Sequence, residues 1–220
     1  MSWKKYVKQL RKPQISALKV IDKYFASSEN KSSLIHMPTG SGKSGIISMV
    51  SNVVKEGCIL IVTPRVSLKN QLYNDVKESF FNVIKKPINP NSKIFEKIED
   101  NFIIDPKKNY SKHVFVTTIQ KIEWLKSNLP SDFQELVEKV SLLIFDEGHY
   151  EPAYSWSQTV RKFTCQKILF TATPFRNDHK KFETAEEYNF AYSYSQGVKD
   201  KYLRKIEFIQ CPSKFDDKIL

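Results

Sequence analysis

The chain has 220 residues, a hydrophobic content of 40% and 35 basic against 24 acidic residues, for a formal net charge of +11. That is apolar material enough for an α/β domain with appendages, no apolar run approaches the roughly 18 residues of a membrane span, and the charge favours a polyanionic partner. Met1-Ser2-Trp3-Lys4-Lys5 lacks the apolar stretch of a signal peptide, and Cys58, Cys165 and Cys211 are too far apart for a zinc site, so a cytoplasmic protein with reduced thiols is expected.

Trp3, Tyr6, Val7 and Leu10 recur at helical spacing, and Pro13 sets the turn into a second helix carrying Ile15, Leu18, Ile21, Tyr24 and Phe25. Gln14, placed by that turn, has the paired donor and acceptor with which a side chain can meet adenine. A short strand at Leu34-Ile35-His36 then feeds Met37-Pro38-Thr39-Gly40-Ser41-Gly42-Lys43-Ser44, and an apolar helix follows at Ile46 to Val50. A loop of small residues between a buried strand and a helix is a phosphate cradle. Thr39, Gly40, Ser41 and Gly42 form the loop whose N–H groups turn inward, Lys43 reaches the outer phosphates, and the Ser44 hydroxyl is placed to ligate Mg2+. Met37 stands where the strict pattern has its first glycine, yet three of the 6 glycines, Gly40, Gly42 and Gly45, fall here, as expected where backbone geometry is demanded locally.

Cys58-Ile59-Leu60-Ile61-Val62 is a continuous β-branched run, the mark of a strand buried on both faces of a parallel sheet. It ends at Thr63-Pro64-Arg65, and a helix follows from about Ser67 to Phe80. A hydroxyl, a guanidinium and helix-terminal N–H groups at a strand's carboxyl end suit a phosphodiester backbone. From Asn82 to Lys112 prolines and scattered lysines break the pattern, and the spacing there predicts an irregular insertion with a short helix at Ile94 to Ile98. His113 to Val116 reads as a strand ending in Thr117-Thr118, with helices at 119–125 and 129–140.

Ser141 to Phe145 is a further apolar strand, delivering Asp146-Glu147-Gly148-His149 at its end. Adjacent carboxylates would repel one another without a cation; with one, Asp146 can hold Mg2+ and Glu147 can polarise an attacking water. A loop and helix over 151–163, a strand at Lys167 to Phe170 and Thr171-Ala172-Thr173-Pro174 follow. Beyond them come a polar segment, a short helix at 196–202 and a last strand at 205–209.

In this order the set resembles the first RecA-like motor domain of the superfamily 2 helicases and translocases. Leu10-Arg11-Lys12-Pro13-Gln14 is similar to the adenine-reading motif and Pro38 to Ser44 to the phosphate loop. Thr63-Pro64-Arg65 and Val116-Thr117-Thr118 are similar to the two strand-gripping motifs, Asp146 to His149 to the DEAD/DEAH box, and Thr171 to Pro174 to the coupling motif. Tyr150-Glu151-Pro152 and the run Thr171 to Asp178 resemble the motor subunits of type III restriction enzymes and related defence helicases.

The resemblance implies a mostly parallel sheet with helices on both faces, ATP and Mg2+ as cofactors, and Lys43, Asp146, Glu147 and His149 as the catalytic set. Arg11 and Gln14 would join the loop in binding nucleotide, with Ser44 and Asp146 on the metal. Thr63, Pro64, Arg65, Thr117 and Thr118 would meet nucleic acid, DNA rather than RNA, and Thr171 and Thr173 would couple the two sites. Residues 1–30 would carry the adenine-reading helices, 31–185 the ATP-binding domain, and 186–220 a connection toward a second RecA-like domain, in cis or in trans. A nuclease or other defence subunit is an expected partner. No QxxRxGR-like basic motif follows Pro174, so the isolated domain is expected to bind ATP and turn it over weakly. The competing expectation is a catalytically silent module that binds ATP or docks nucleic acid beside a partner.

Overall fold

The structure, a computed structural model, describes residues 2–54, 57–86, 94–99, 104–147, 158–173 and 184–206. Its seven strands form one sheet in the order β3-β4-β2-β5-β6-β1-β7, with every pairing parallel. The strands are β1 (Ser33–His36), β2 (Cys58–Thr63), β3 (Ile94–Lys97), β4 (His113–Thr118), β5 (Val140–Phe145), β6 (Gln166–Thr171) and β7 (Phe190–Ala191).

The continuous apolar runs of β2, β4 and β5 are explained by helices on both faces. Alternate side chains of a strand point to opposite sides, so Ile59, Ile61, Val114, Val116, Leu142 and Ile144 enter one core. That core lies under α1 (Lys12–Phe25), α2 (Lys43–Val53) and the helix over 66–83. Cys58, Leu60, Val62, Phe115, Leu143 and Phe145 enter the other, under α5 (Ile119–Asn128) and α6 (Pro130–Lys139). Leu60 is wholly buried, opposite Phe115 on β4 and Leu143 on β5. Leu60→Ala is therefore expected to cost about 2–5 kcal/mol of unfolding free energy, read by urea titration.

Several local expectations change. The N-terminal turn Ser2–Gln9 is a 3-10 helix, tied down by Trp3 Nε1, which donates to Asp22 Oδ2 at 2.7 Å. The helix expected at Ile94 to Ile98 is strand β3, parallel to β4. Its i,i+4 isoleucines satisfy both patterns, and pairing at the sheet edge decides: Ile98 N–H donates to Val116 O at 3.1 Å and its side chain is buried. The helix after Arg65 runs as α3 (Val66–Asn74), a π turn (Asp75–Ser79) and α4 (Phe80–Val83). β7 lies alongside β1, pairing Ile35 with Phe190 and His36 with Ala191, so the chain after 186 adds an edge strand to this sheet. The last helix, α7, spans Tyr194–Lys199, ending before the expected 202. Residues 205–206 are not in a strand, and 207–209 lie outside the described residues, as does 151–157 of the helix expected over 151–163.

Candidate nucleotide site and nucleic-acid rim

The sheet's carboxyl edge gathers the phosphate loop and the acidic pair. β1 and β5 flank β6, so the loop after β1 and the turn after β5 open on the same rim, where open α/β sheets place ligands. The loop is braced from within: Ser41 Oγ donates to Pro38 O at 2.6 Å and Lys43 Nζ to Met37 O at 3.0 Å. Gly42 caps α2 in the left-handed region at φ 103°, and a Cβ there would lie 2.6 Å from Gln14 Nε2. Only glycine accepts both demands.

Arg11 and Gln14 hold the loop from the side. Gln14 Nε2 donates to Gly42 O at 3.0 Å, Arg11 N–H donates to Gln14 Oε1 at 2.9 Å, and Arg11 Nη1 donates to Gly40 O at 2.9 Å. The Gln14 amide is buried and engages the protein with one donor and its oxygen. Thr39 and Gly40 are exposed, while Ser41 is buried.

The carboxylates arrive at the end of β5, where Asp146 N–H donates to Val62 O at 2.9 Å and carries the ladder one residue past the strand. Glu147 then turns at φ 57°, a conformation uncommon for a side chain of its kind, and its Oε1 comes to 4.0 Å from Lys43 Nζ. Burial lowers the Lys43 ammonium's pKa, while Glu147 and Asp146 act in the opposite sense. Asp146 is pushed up to about 6, first by burial and then by the Glu147 charge.

Asp146 Oδ1 is sealed from solvent with no hydrogen-bond partner. A buried carboxylate oxygen without a donor is costly, and a hard divalent cation would satisfy it. Among the described residues no group of three or more His, Cys, Asp or Glu side chains could form a protein cage for a metal. Mg2+ needs no such cage, since it takes one or two protein ligands and completes its shell with water and substrate phosphates. The Asp146 carboxylate thus fits such an ion. The sequence reading missed Asp75, on the π turn, whose carboxyl is raised by burial and lowered by a hydrogen bond from the Ser44 side chain. Its approach depends on how the π turn packs on α2, for which local sequence carries no signal.

Thr171 ties the loop to the segment after β6: Met37 N–H donates to Thr171 O at 2.9 Å, Thr171 Oγ1 donates to Thr173 O at 2.9 Å, and Thr173 N–H returns to Thr171 Oγ1 at 3.1 Å. His149, Gly148 and Pro174 lie outside the described residues.

The rim expected to meet a strand differs from expectation. The Thr63, Thr117 and Thr118 side chains are buried. Thr63 Oγ1 donates to Arg65 O at 3.1 Å, Thr117 Oγ1 faces Thr118 O at 3.5 Å, and Thr118 Oγ1 caps α5 by accepting from Lys121 N–H at 3.3 Å. Pro64 is buried, Arg65 is exposed, and the exposed Gln120 donates from Nε2 to Pro64 O at 3.0 Å. Trp124, 44% exposed with Lys121 Nζ 3.8 Å from its ring centroid, stands one turn further along α5.

A parallel sheet with a P-loop on one strand and an acidic pair on a nearby strand end defines a RecA-like domain of the helicase and translocase class. The model of the type III restriction enzyme res subunit family matches residues 7–176, and the chain belongs to that family. It is 25% identical over 175 residues to the general transcription and DNA repair factor IIH helicase/translocase subunit XPB2 of Arabidopsis thaliana, covering 74% of this chain and 20% of that protein. The chain therefore spans about a fifth of that curated relative's length. Among solved structures, the DNA-bound, ATP-dependent type ISP restriction-modification enzyme LlaBIII superposes with a TM-score of 0.59 at 16% identity, over 87% of this chain and 16% of that one. The Pyrococcus furiosus Hef helicase domain gives 0.55 at 23% identity, over 86% and 40%.

Proposed function

We propose that this domain is the ATP-binding half of a nucleic-acid-dependent ATPase that grips one strand by its phosphates and moves along it. The observation that carries this is the meeting of Lys43, Glu147 and the partnerless Asp146 Oδ1 beside the P-loop. Lys43 and the loop N–H groups hold the phosphates; Ser44 and Asp146 hold Mg2+, which when bound neutralises charge on the phosphates being separated. Glu147 takes the proton of the attacking water, and its strained backbone keeps the carboxylate aimed across the site. Arg11 and Gln14 flank the base, and Thr171 and Thr173 with His149 pass the nucleotide's state to the rim.

On the rim, Arg65 and the N–H groups of α3 address phosphates, which makes the contact independent of base sequence, while Thr63, Pro64, Thr117 and Thr118 shape the backbone behind them. Lys43 acts from this domain, and the arginines that complete turnover come from a second RecA-like domain in cis or in trans. DNA is favoured over RNA because the matched XPB2 and LlaBIII carry DNA in their descriptions. A nuclease or other defence subunit is the expected companion. The protein's location is proposed to be the cytoplasm; among the described residues no helix is long and apolar enough to cross a membrane.

Equilibrium titration with a fluorescent ATP analogue, with and without Mg2+, tests the site, and single-stranded DNA of varied sequence tests the rim. Mg2+-dependent nucleotide binding is expected. Arg65→Ala should weaken DNA binding evenly across sequences and lower the salt slope by about 1. Absence of nucleotide binding in Mg2+ would remove the proposal.

A further inference from the structure

After β7 the chain folds back over the nucleotide site. Tyr192 N–H donates to His36 O at 2.9 Å, continuing the edge of the sheet, and Ser193 Oγ caps α7 by accepting from Gln196 N–H at 3.2 Å. The helix closes on a left-handed residue, Lys201 at φ 62°, so that the N–H groups of Tyr202 and Leu203 both reach Gly197 O, at 2.9 and 3.0 Å. A Cβ on Gly197 would lie 2.5 Å from Leu203 Cδ1, so glycine is what lets this turn shut. Tyr192 OH donates to Asp200 Oδ2 at 2.9 Å and pins the same turn to the sheet edge.

These restraints deliver two side chains to the nucleotide site. Leu203 Cδ2 comes within 3.4 Å of where a Gly40 Cβ would stand. The Tyr202 ring centroid lies 5.5 Å from Arg11 Cζ, and its hydroxyl accepts from Lys12 N–H at 3.4 Å. Arg11 is otherwise exposed, with Nη1 on Gly40 O. A guanidinium is planar and stacks through either face. With the Tyr202 ring beside it and one nitrogen fixed to the phosphate loop, the guanidinium is restrained before any ligand arrives.

Building on the proposed ATP site, we infer that Tyr202 is a positioning residue for the nucleobase, acting through Arg11: the ring holds the guanidinium so that its opposite face stacks on a purine. Preorganised groups lose less freedom on binding, and a cation held over a π face contributes most when both planes are fixed. The contribution belongs to the base and not to the phosphates, which the loop and Lys43 hold.

The test compares ATP with inorganic tripolyphosphate, each with Mg2+, by equilibrium binding to the wild-type protein and to Tyr202→Phe, Tyr202→Leu and Tyr202→Ala. Tyr202→Ala and Tyr202→Leu are expected to weaken ATP about three- to thirtyfold. Tripolyphosphate should stay within about twofold of wild type, because the loop's own hydrogen bonds are untouched. Tyr202→Phe, which keeps the ring, should bind ATP as wild type does. The leucine variant preserves apolar bulk, so the comparison stands if the alanine variant folds poorly. Equal losses for both ligands would make Tyr202 a support of the loop and overturn the inference, as would unchanged ATP binding in the leucine variant. A wild-type protein that binds neither ligand removes the ATP site and the Tyr202 role together, a pattern unlike either of those.

Discussion

Glu147→Gln, introduced into this domain supplied with the second RecA-like domain proposed above and assayed with DNA, is expected to lower ATP turnover by about 10²–10⁴-fold while nucleotide affinity changes little. Glutamine keeps the volume and one acceptor oxygen but cannot take a proton from water. The geometry confines the effect to chemistry. Glu147 Oε1 is 4.0 Å from Lys43 Nζ, so the carboxylate stands beside the lysine proposed to hold the phosphates. Steady-state hydrolysis gives turnover and a fluorescent nucleotide gives affinity. Unchanged turnover in the variant would end the motor assignment and leave a silent module that binds ATP to assemble or to sense.

Asp146→Asn should do two opposite things. In the nucleotide-free protein the carboxyl is pushed up to about 6, by burial first and the adjacent Glu147 second, with Lys43 working the other way. An unfolded aspartate titrates near 3.9. Between about pH 4 and 6 the folded protein therefore keeps a proton that the unfolded chain has lost, stability falls as pH rises through that window, and the whole cost is present above it. The upper bound is about 3 kcal/mol. Asp146→Asn removes the buried charge, so it should raise the thermal midpoint at pH 7.5 by about 2–8 °C, a gain that vanishes below about pH 4. Magnesium reverses the comparison: wild type should be stabilised by ATP with Mg2+ far more than the variant, which offers no anionic oxygen to the ion. Thermal scans from pH 4 to 8, with and without ATP and Mg2+, read both effects. Identical midpoints for the two proteins at every pH, together with equal ligand shifts, would take Asp146 out of the metal site.

The placing of the glycine-rich loop and the acidic pair was legible where it is written in neighbouring residues. Gly40 to Ser44 and Asp146-Glu147 each form a contiguous peptide at a strand end, and the apolar runs of β2, β4 and β5 announce strands covered on both faces. Where two patterns coincide, local reading failed. Ile94 and Ile98 suit a helix as well as a strand, and the choice rested on Val116, whose carbonyl is available only once β4 has formed. The position of Thr63, Thr117 and Thr118 at strand ends was readable, while the hydrogen-bond partners of their hydroxyls were not.

By itself, then, the amino-acid order determined the class of domain and the placing of a glycine-rich loop and an acidic pair at strand ends, since each follows from side-chain periodicity or from residues joined by a few peptide bonds. Only the tertiary structure decided that the loop faces Glu147, that Asp75 meets Ser44, and that Tyr202 returns to Arg11. Such contacts join positions far apart along the chain. They exist only after the burial of two hydrophobic cores has offset the entropy of closing the loops between them, and no local pattern encodes that balance.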